Sequence, residues 1–161
     1  MNCSHCGGSA HSHELERFFK LPDVLFALSE QSARERAVLT ADCCTLDRNR
    51  FFLRGVLYLP VPEAERKFGI GFWAETSDVA FRWYVSRFDQ DLTGQEPGFG
   101  TLANSFQRPG YGPTLGLKVK IHWGTASERP TFVVDEAHAL RSEQTDGITM
   151  KRVHELLALP N

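Results

Sequence analysis

The sequence predicts an α+β fold: a mainly antiparallel sheet with two or three helices and an N-terminal zinc-knuckle-like segment. Three observations carry this. The stretch "LGLKVKIHW" puts Leu115, Leu117, Val119 and Ile121 on one side and Lys118, Lys120 and His122 on the other. One wet face per strand belongs to antiparallel sheets, since the strands of a parallel sheet read as near-continuous apolar runs. Helical segments fall between groups of strands instead of alternating with single strands, which separates α+β from α/β. Finally, "CSHCGGSAHSH" at residues 3–13 crowds two Cys and three His into eleven residues.

Taken in order, "LPDVLFALSEQSARERAVLT" follows a Pro with good helix formers and predicts a helix from about Ser29 to Val38. "TLDRNRFFLRGVLYLPV" predicts a hairpin with the polar "DRNR" at 47–50 as its turn. On its second strand Phe51, Leu53, Leu57 and Leu59 share one face, and Phe52, Arg54, Val56 and Tyr58 the other. Arg54, beside Phe52 and Val56, must find an anion or reach water; an Arg snorkelling to the sheet edge is the plainer reading. Gly55 in mid-strand predicts a bulge or a close backbone approach.

"KFGIGFWAET" predicts a third strand, with Ile70, Phe72 and Ala74 opposite Trp73. In "TSDVAFRWYVSRF", Ser77 is an N-cap, Asp78 suits the first turn, and Phe81, Tyr84, Val85 and Phe88 form a core-facing stripe. Trp83 falls off that stripe and is either packed by a second layer or offered to a partner. The turn-rich residues 94–117 predict an ordered loop with a strand or turn around Thr101 to Phe106. Loops on a rigid scaffold tend to carry binding groups, so Asn104, Arg108 and Tyr111 are its polar candidates. "RPTFVVDEAHAL" adds a strand and a polar loop holding Asp135, Glu136 and His138. The terminal helix starts at Thr149, aligns Met150, Val153, His154 and Leu157, and stops before Pro160. His154 reads as a satisfied edge histidine, not a ligand.

A chain of 161 residues with 42% hydrophobic content fits one domain with a real core. The expected organisation is a zinc-knuckle-like segment over residues 1–20, packed on a single α+β domain over 21–161. With a formal net charge of -2 and no basic stripe, nucleic acid is disfavoured as a partner. No apolar run approaches the ~20 residues of a spanning helix, and the polar, His-bearing start is no signal peptide. The expected location is therefore the cytoplasm. There, a CxxC suits metal binding better than a disulfide framework.

Cys3 and Cys6, followed by Gly7 and Gly8, can aim two sulfurs at one ion across a tight turn. That is half of a tetrahedral zinc site. The remaining candidates are His11, His13, Cys43 and Cys44, and alternation along an extended chain admits one of each pair. The leading set is Cys3, Cys6, one of His11 and His13, and Cys44. Competing readings are a thioredoxin-type redox pair, for which no strand precedes residue 3, and a loose tail with idle thiols. Cys43 and Cys44 also suit a simple role as small buried hydrophobes, and His5 suits a solvated turn.

The motifs "CSHCG", "LTADCCTLD" leading into "RFFLRGVLYLPV", "GFWAETSDVAFRWY", "PGYGPTLGLKVKIH" and "EQTDGITMKRVHELL" together resemble an uncharacterised bacterial family, domain of unknown function 2199. The resemblance spans nearly the whole chain. It implies that the CxxCG, a later His and Cys44 are ligands or core. Cys43 is this chain's own, and an expanded segment after Gly7 leaves two His competing for one place. It implies no activity.

The function expected from these readings is a small cytoplasmic binding or protein-interaction protein with a structural zinc, because thiolate-rich zinc sites stabilise more often than they catalyse. Its candidate binding surface comprises Arg54, Trp83, Asn104, Tyr111 and His122. The alternative is a zinc-dependent hydrolase or other enzyme with an open metal position, or a cleft near Asp42, Arg54, His122 and His138. The chain carries no HExxH, GxSxG or phosphate-loop spacing to support it.

Overall fold

The structure, a computed structural model, describes residues 15–158. In chain order its elements are β1 (Glu16–Phe18), α1 (Asp23–Phe26), α2 (Glu30–Arg36), β2 (Ala37–Leu39), β3 (Cys43–Leu46), β4 (Arg50–Val61), β5 (Arg66–Thr76), α3 (Asp78–Val85), β6 (Gly98–Leu102), β7 (Lys118–His122), β8 (Thr131–Val134), α4 (Ala139–Asp146) and α5 (Met150–Leu157).

The hairpin of β4 and β5 organises the molecule. The two strands pair antiparallel from Phe51↔Thr76 to Val61↔Arg66, around a 3-10 turn at Pro62–Ala64. Strand alternation sends Leu53, Leu57, Leu59 and Val61 to one face with Phe68, Ile70, Phe72 and Ala74, all of them fully buried. From β5 the sheet continues antiparallel through β6, β7 and β8, and β8 returns to β4 at Val56↔Thr131. The result is a closed five-stranded barrel. An up-and-down path with an odd number of strands brings its last strand parallel to its first, so this seam is parallel by construction.

Closure depends on Gly55. A Cβ there would stand 2.5 Å from Cζ of Phe132 and 2.7 Å from the Pro130 carbonyl oxygen, while the neighbouring Val56 amide donates to that same oxygen at 3.0 Å. The close backbone approach expected at Gly55 is thus the barrel seam. Further along β8, the Gln144 carboxamide takes over as a pairing partner, donating to Phe132 O at 2.8 Å and accepting from Val134 N at 2.9 Å. Buried backbone groups demand such partners, and a glutamine side chain supplies both where the strands splay.

Extra strands extend the barrel. β3 and β2 add antiparallel beside one end of β4, and β1 adds parallel beside β5 at Gly69–Gly71. The architecture is α+β and the sheet is mainly antiparallel, but it is not simply so: it closes on itself and contains two parallel pairings. The helices number five among the described residues, against two or three expected. Those foreseen are α2, α3 and α5, capped by Ser29, Ser77 and Thr149. α1 is a single turn with no room for a periodic stripe, and α4 ("ALRSEQTD") buries only Leu140 and is capped by His138, outside the usual Ser, Thr, Asp and Asn. Of the zinc-knuckle-like segment expected over residues 1–20, residues 1–14, with both Cys of the CxxC, lie outside the described residues, and Glu16–Phe18 form β1.

Two faces also differ from expectation. On α3, Tyr84 is buried and Phe81 packs on Phe51, yet Val85 and Phe88 are 39% and 60% exposed. Trp123 explains the rotation, since it draws both Trp83 and Tyr84 to ring distances of 5.1 and 5.2 Å. Leu115 is exposed because β7 begins only at Lys118, after a turn with Gly116 at φ 85°. No helix among the described residues is long and apolar enough to cross a membrane.

Candidate binding trough on the outer face of the barrel

The alternation that fills the barrel leaves Arg54, Val56 and Tyr58 of β4 on its outer face, opposite Trp73, Gly71 and Gly69 of β5. β1 adds Glu16 beside Gly69 and Phe18 beside Gly71. Two glycines in a row of outward positions leave a floor without side chains. The walls are Phe18, Arg54 and Tyr58, and the trough measures about 300 Å³. A neighbouring cleft of about 500 Å³ shares Val56, Tyr58 and Arg129 and extends to Tyr84 and Phe88. Beyond Phe18, toward Phe26, lies another of about 450 Å³. It sets Glu16 and Asp23 beside Arg17 and Lys20, so its charges balance and it favours neither sign of ligand.

Arg54 is half-buried, with its guanidinium carbon 5.5 Å from the Phe18 ring centroid and 5.8 Å from that of Trp73. Its Nη1 donates to Ala41 O at 3.2 Å. Among the described residues it makes no ion pair with a carboxylate, because Asp42 is engaged by Arg129 at 2.6 Å. Burial, and then the charge of Arg129, lower its pKa, with Asp42 opposing. A guanidinium has five N–H donors in a planar fork. With one spent on Ala41, the others border the trough, held in place by two rings.

Elsewhere the polar candidates of the turn-rich loop are consumed by the fold. Asn104 is buried: its Oδ1 accepts from Trp73 N at 2.8 Å, and its Nδ2 donates to Leu21 O and Asp23 Oδ1. It fills the gap on β5 between the end of β1 and the start of β6. Arg108, also buried, donates to Leu156 O and stacks on Phe106. The Tyr111 hydroxyl donates to Glu143, which also receives Arg152 at 2.7 Å. Burial and the Glu143 carboxylate push the Tyr111 hydroxyl far above the usual tyrosine range.

Trp83 is half-buried on Trp123, under the Arg87 guanidinium. His122 is exposed, and the register places it in a row with Thr131, Val56, Gly71 and Phe18 across the outer face. His138 lies apart from that row: its Nδ1 accepts from Leu140 N and its Nε2 faces Gly112 O. Arg54 N donates to Asp42 O at 2.9 Å, so these two are neighbours, while His138 serves α4.

Of the expected metal ligands, Cys3, Cys6, His11 and His13 lie outside the described residues. Cys44 is 1% exposed, and its register opposite Phe52 puts it on the same face as Arg54. Burial pushes its thiol up to about 11, aided by the neighbouring Cys43, whose own thiol is raised to about 11 by burial and by Asp42. Among the described residues no three His, Cys, Asp or Glu side chains are grouped to hold a metal ion. Sequence reasoning missed Arg129, which reads as an ordinary loop cation before Pro130, and Gln144, whose role exists only once β8 is in place.

A family model described as an uncharacterized protein conserved in bacteria matches residues 2–148. No curated protein and no solved structure matches the chain.

Proposed function

The chain belongs to the uncharacterised bacterial family termed domain of unknown function 2199, and from that premise we propose that it is a small cytoplasmic binding protein. A partner protein docks on the outer face of β4 and β5, and one structural zinc ties the N-terminal segment to the domain. The observation that carries the docking surface is Arg54, a cation held between aromatic rings at the edge of a glycine-floored trough. Phe18 and Tyr58 line the trough with it and Phe88 lines the adjoining cleft, exposed by 53%, 40% and 60%. Aromatic and arginine side chains in that combination dominate the energetics of protein interfaces.

Comparative capture from a lysate of the source cells tests the docking role. The wild-type chain should retain a protein that a folded Arg54→Glu, Tyr58→Ser variant does not. Retention of the same proteins by both would remove this reading.

The zinc would be held by Cys3, Cys6, one of His11 and His13, and Cys44. The spacing of the CxxC supports this, as does a buried thiol at Cys44. That thiol keeps its proton in apolar surroundings, and coordination to a divalent cation would displace it. When bound, the ion supplies a cross-link between segments distant in sequence, not a reaction. Elemental analysis should find one zinc per chain, and chelation should lower the melting temperature. A metal-free protein with an unchanged melt would end the proposal.

A further inference from the structure

We infer that the trough selects a carboxylate, presented by an extended acidic segment of the partner with an apolar group beside it. This rests on the docking reading above and names what is docked. Arg54 is the only wall residue of the trough that the fold places in mid-strand, between two rings, with donors to spare. Fixing a guanidinium before binding removes most of the ordering cost that a flexible surface arginine would incur. Its planar fork matches a carboxylate in bidentate fashion. Charge complementarity points the same way: Arg17, Arg54 and Arg129 line the trough against one carboxylate, Glu16, and Asp42, the partner of Arg129, lies in the larger cleft.

The apolar half of the ligand follows from the floor. Gly69 and Gly71 open a slot between the exposed rings of Phe18 and Tyr58, next to the Val56 side chain. A side chain at Gly71 would push Phe18 aside, and one at Gly69 would make Tyr58 and Val56 give by a few tenths of an ångström. A Cβ at Gly69 would stand 3.3 Å from both Tyr58 and Val56, and one at Gly71 2.8 Å from the Phe18 Cβ. An apolar group seated in the trough beside Val56 therefore meets the Phe18 and Tyr58 rings while its carboxylate reaches Arg54.

The test uses the full chain and three small probes that share a phenyl body: N-acetylphenylalanine, its neutral amide, and phenyl phosphate. Binding is followed by NMR at the Gly69 and Gly71 amides and the Arg54 Nε–H. The carboxylate should bind at least about tenfold more tightly than the amide, the scale of one charge-assisted hydrogen-bonded pair. Arg54→Gln should abolish that preference, and Gly69→Ala should weaken the binding of all three probes with the charge left in place. Equal binding of acid and amide, or tighter binding of the phosphate ester, would overturn the carboxylate assignment.

Partner capture separates the two readings. Capture lost in Tyr58→Ser but kept in Arg54→Gln would leave the docking face standing and refute its carboxylate ligand. Capture indifferent to both substitutions would refute the pair.

Discussion

The two faces of one hairpin live under different physics. Inward from β4 and β5 every position from Leu53 to Val61 is closed off, packed by Phe68, Ile70, Phe72 and by Phe132 from β8. Outward, two residues are glycine and one is a mid-strand arginine; Phe52 and Trp73 are buried, while Tyr58 is left 40% exposed. The same alternation produces both, because a strand with period two can serve a core and a surface at once. Stability is concentrated on the inner side, with Phe52 and Trp73 anchoring one end of the outer face, which leaves the stretch around Tyr58 available for recognition.

The comparison breaks if inner-face changes are tolerated. Phe132→Ala empties the seam and should cost about 3–5 kcal/mol, which for a chain of this size lowers the melting temperature by roughly 10 °C or more. Gly55→Ala comes next, at about 2–3 kcal/mol, because its methyl group meets a backbone carbonyl that cannot rotate away. Gln144→Leu keeps the volume but strands Phe132 O and Val134 N, and should cost about 1–3 kcal/mol. Thermal melts of the three variants rank them, and a Gln144→Leu melt matching wild type would show that α4 does not guard the seam.

A fourth outcome concerns pH. Tyr111 keeps its proton in the folded chain well above the ordinary tyrosine pKa, chiefly through burial and then through Glu143. As pH rises past about 10, the unfolded chain loses this proton while the folded chain holds it, so the folded state binds more protons and stability falls. Tyr111→Phe should flatten part of that decline in melts between about pH 9 and 11. Identical slopes would mean that Tyr111 and Glu143 do not form this part-buried pair.

How much of this was legible follows from the range of each interaction. The division of β4 into Leu53, Leu57 and Leu59 against Arg54, Val56 and Tyr58 is written in consecutive residues, as are the caps at Ser29, Ser77 and Thr149. The seam is not, because Val56 and Thr131 meet only after three intervening strands have paired. Gly55 signalled a close approach without naming Phe132 as what approaches. Arg54 was visible as an anomaly, a charge flanked by apolar residues, whereas Phe18 and Gly69 became its neighbours through β1, a strand too short to show a period. Asn104 and Tyr111 show the reverse case: polar residues in a glycine-rich loop suggested binding, and their partners turned out to be the fold's own backbone and helices.

The separation of the two faces is tested most directly by the melting temperature of the Arg54→Gln, Tyr58→Ser double variant. The account predicts a value within a few degrees of wild type, since Tyr58 is exposed and half-buried Arg54 gives up one hydrogen bond, about 1 kcal/mol each. A fall as deep as that of Phe132→Ala would contradict it, because the outer face would then belong to the core.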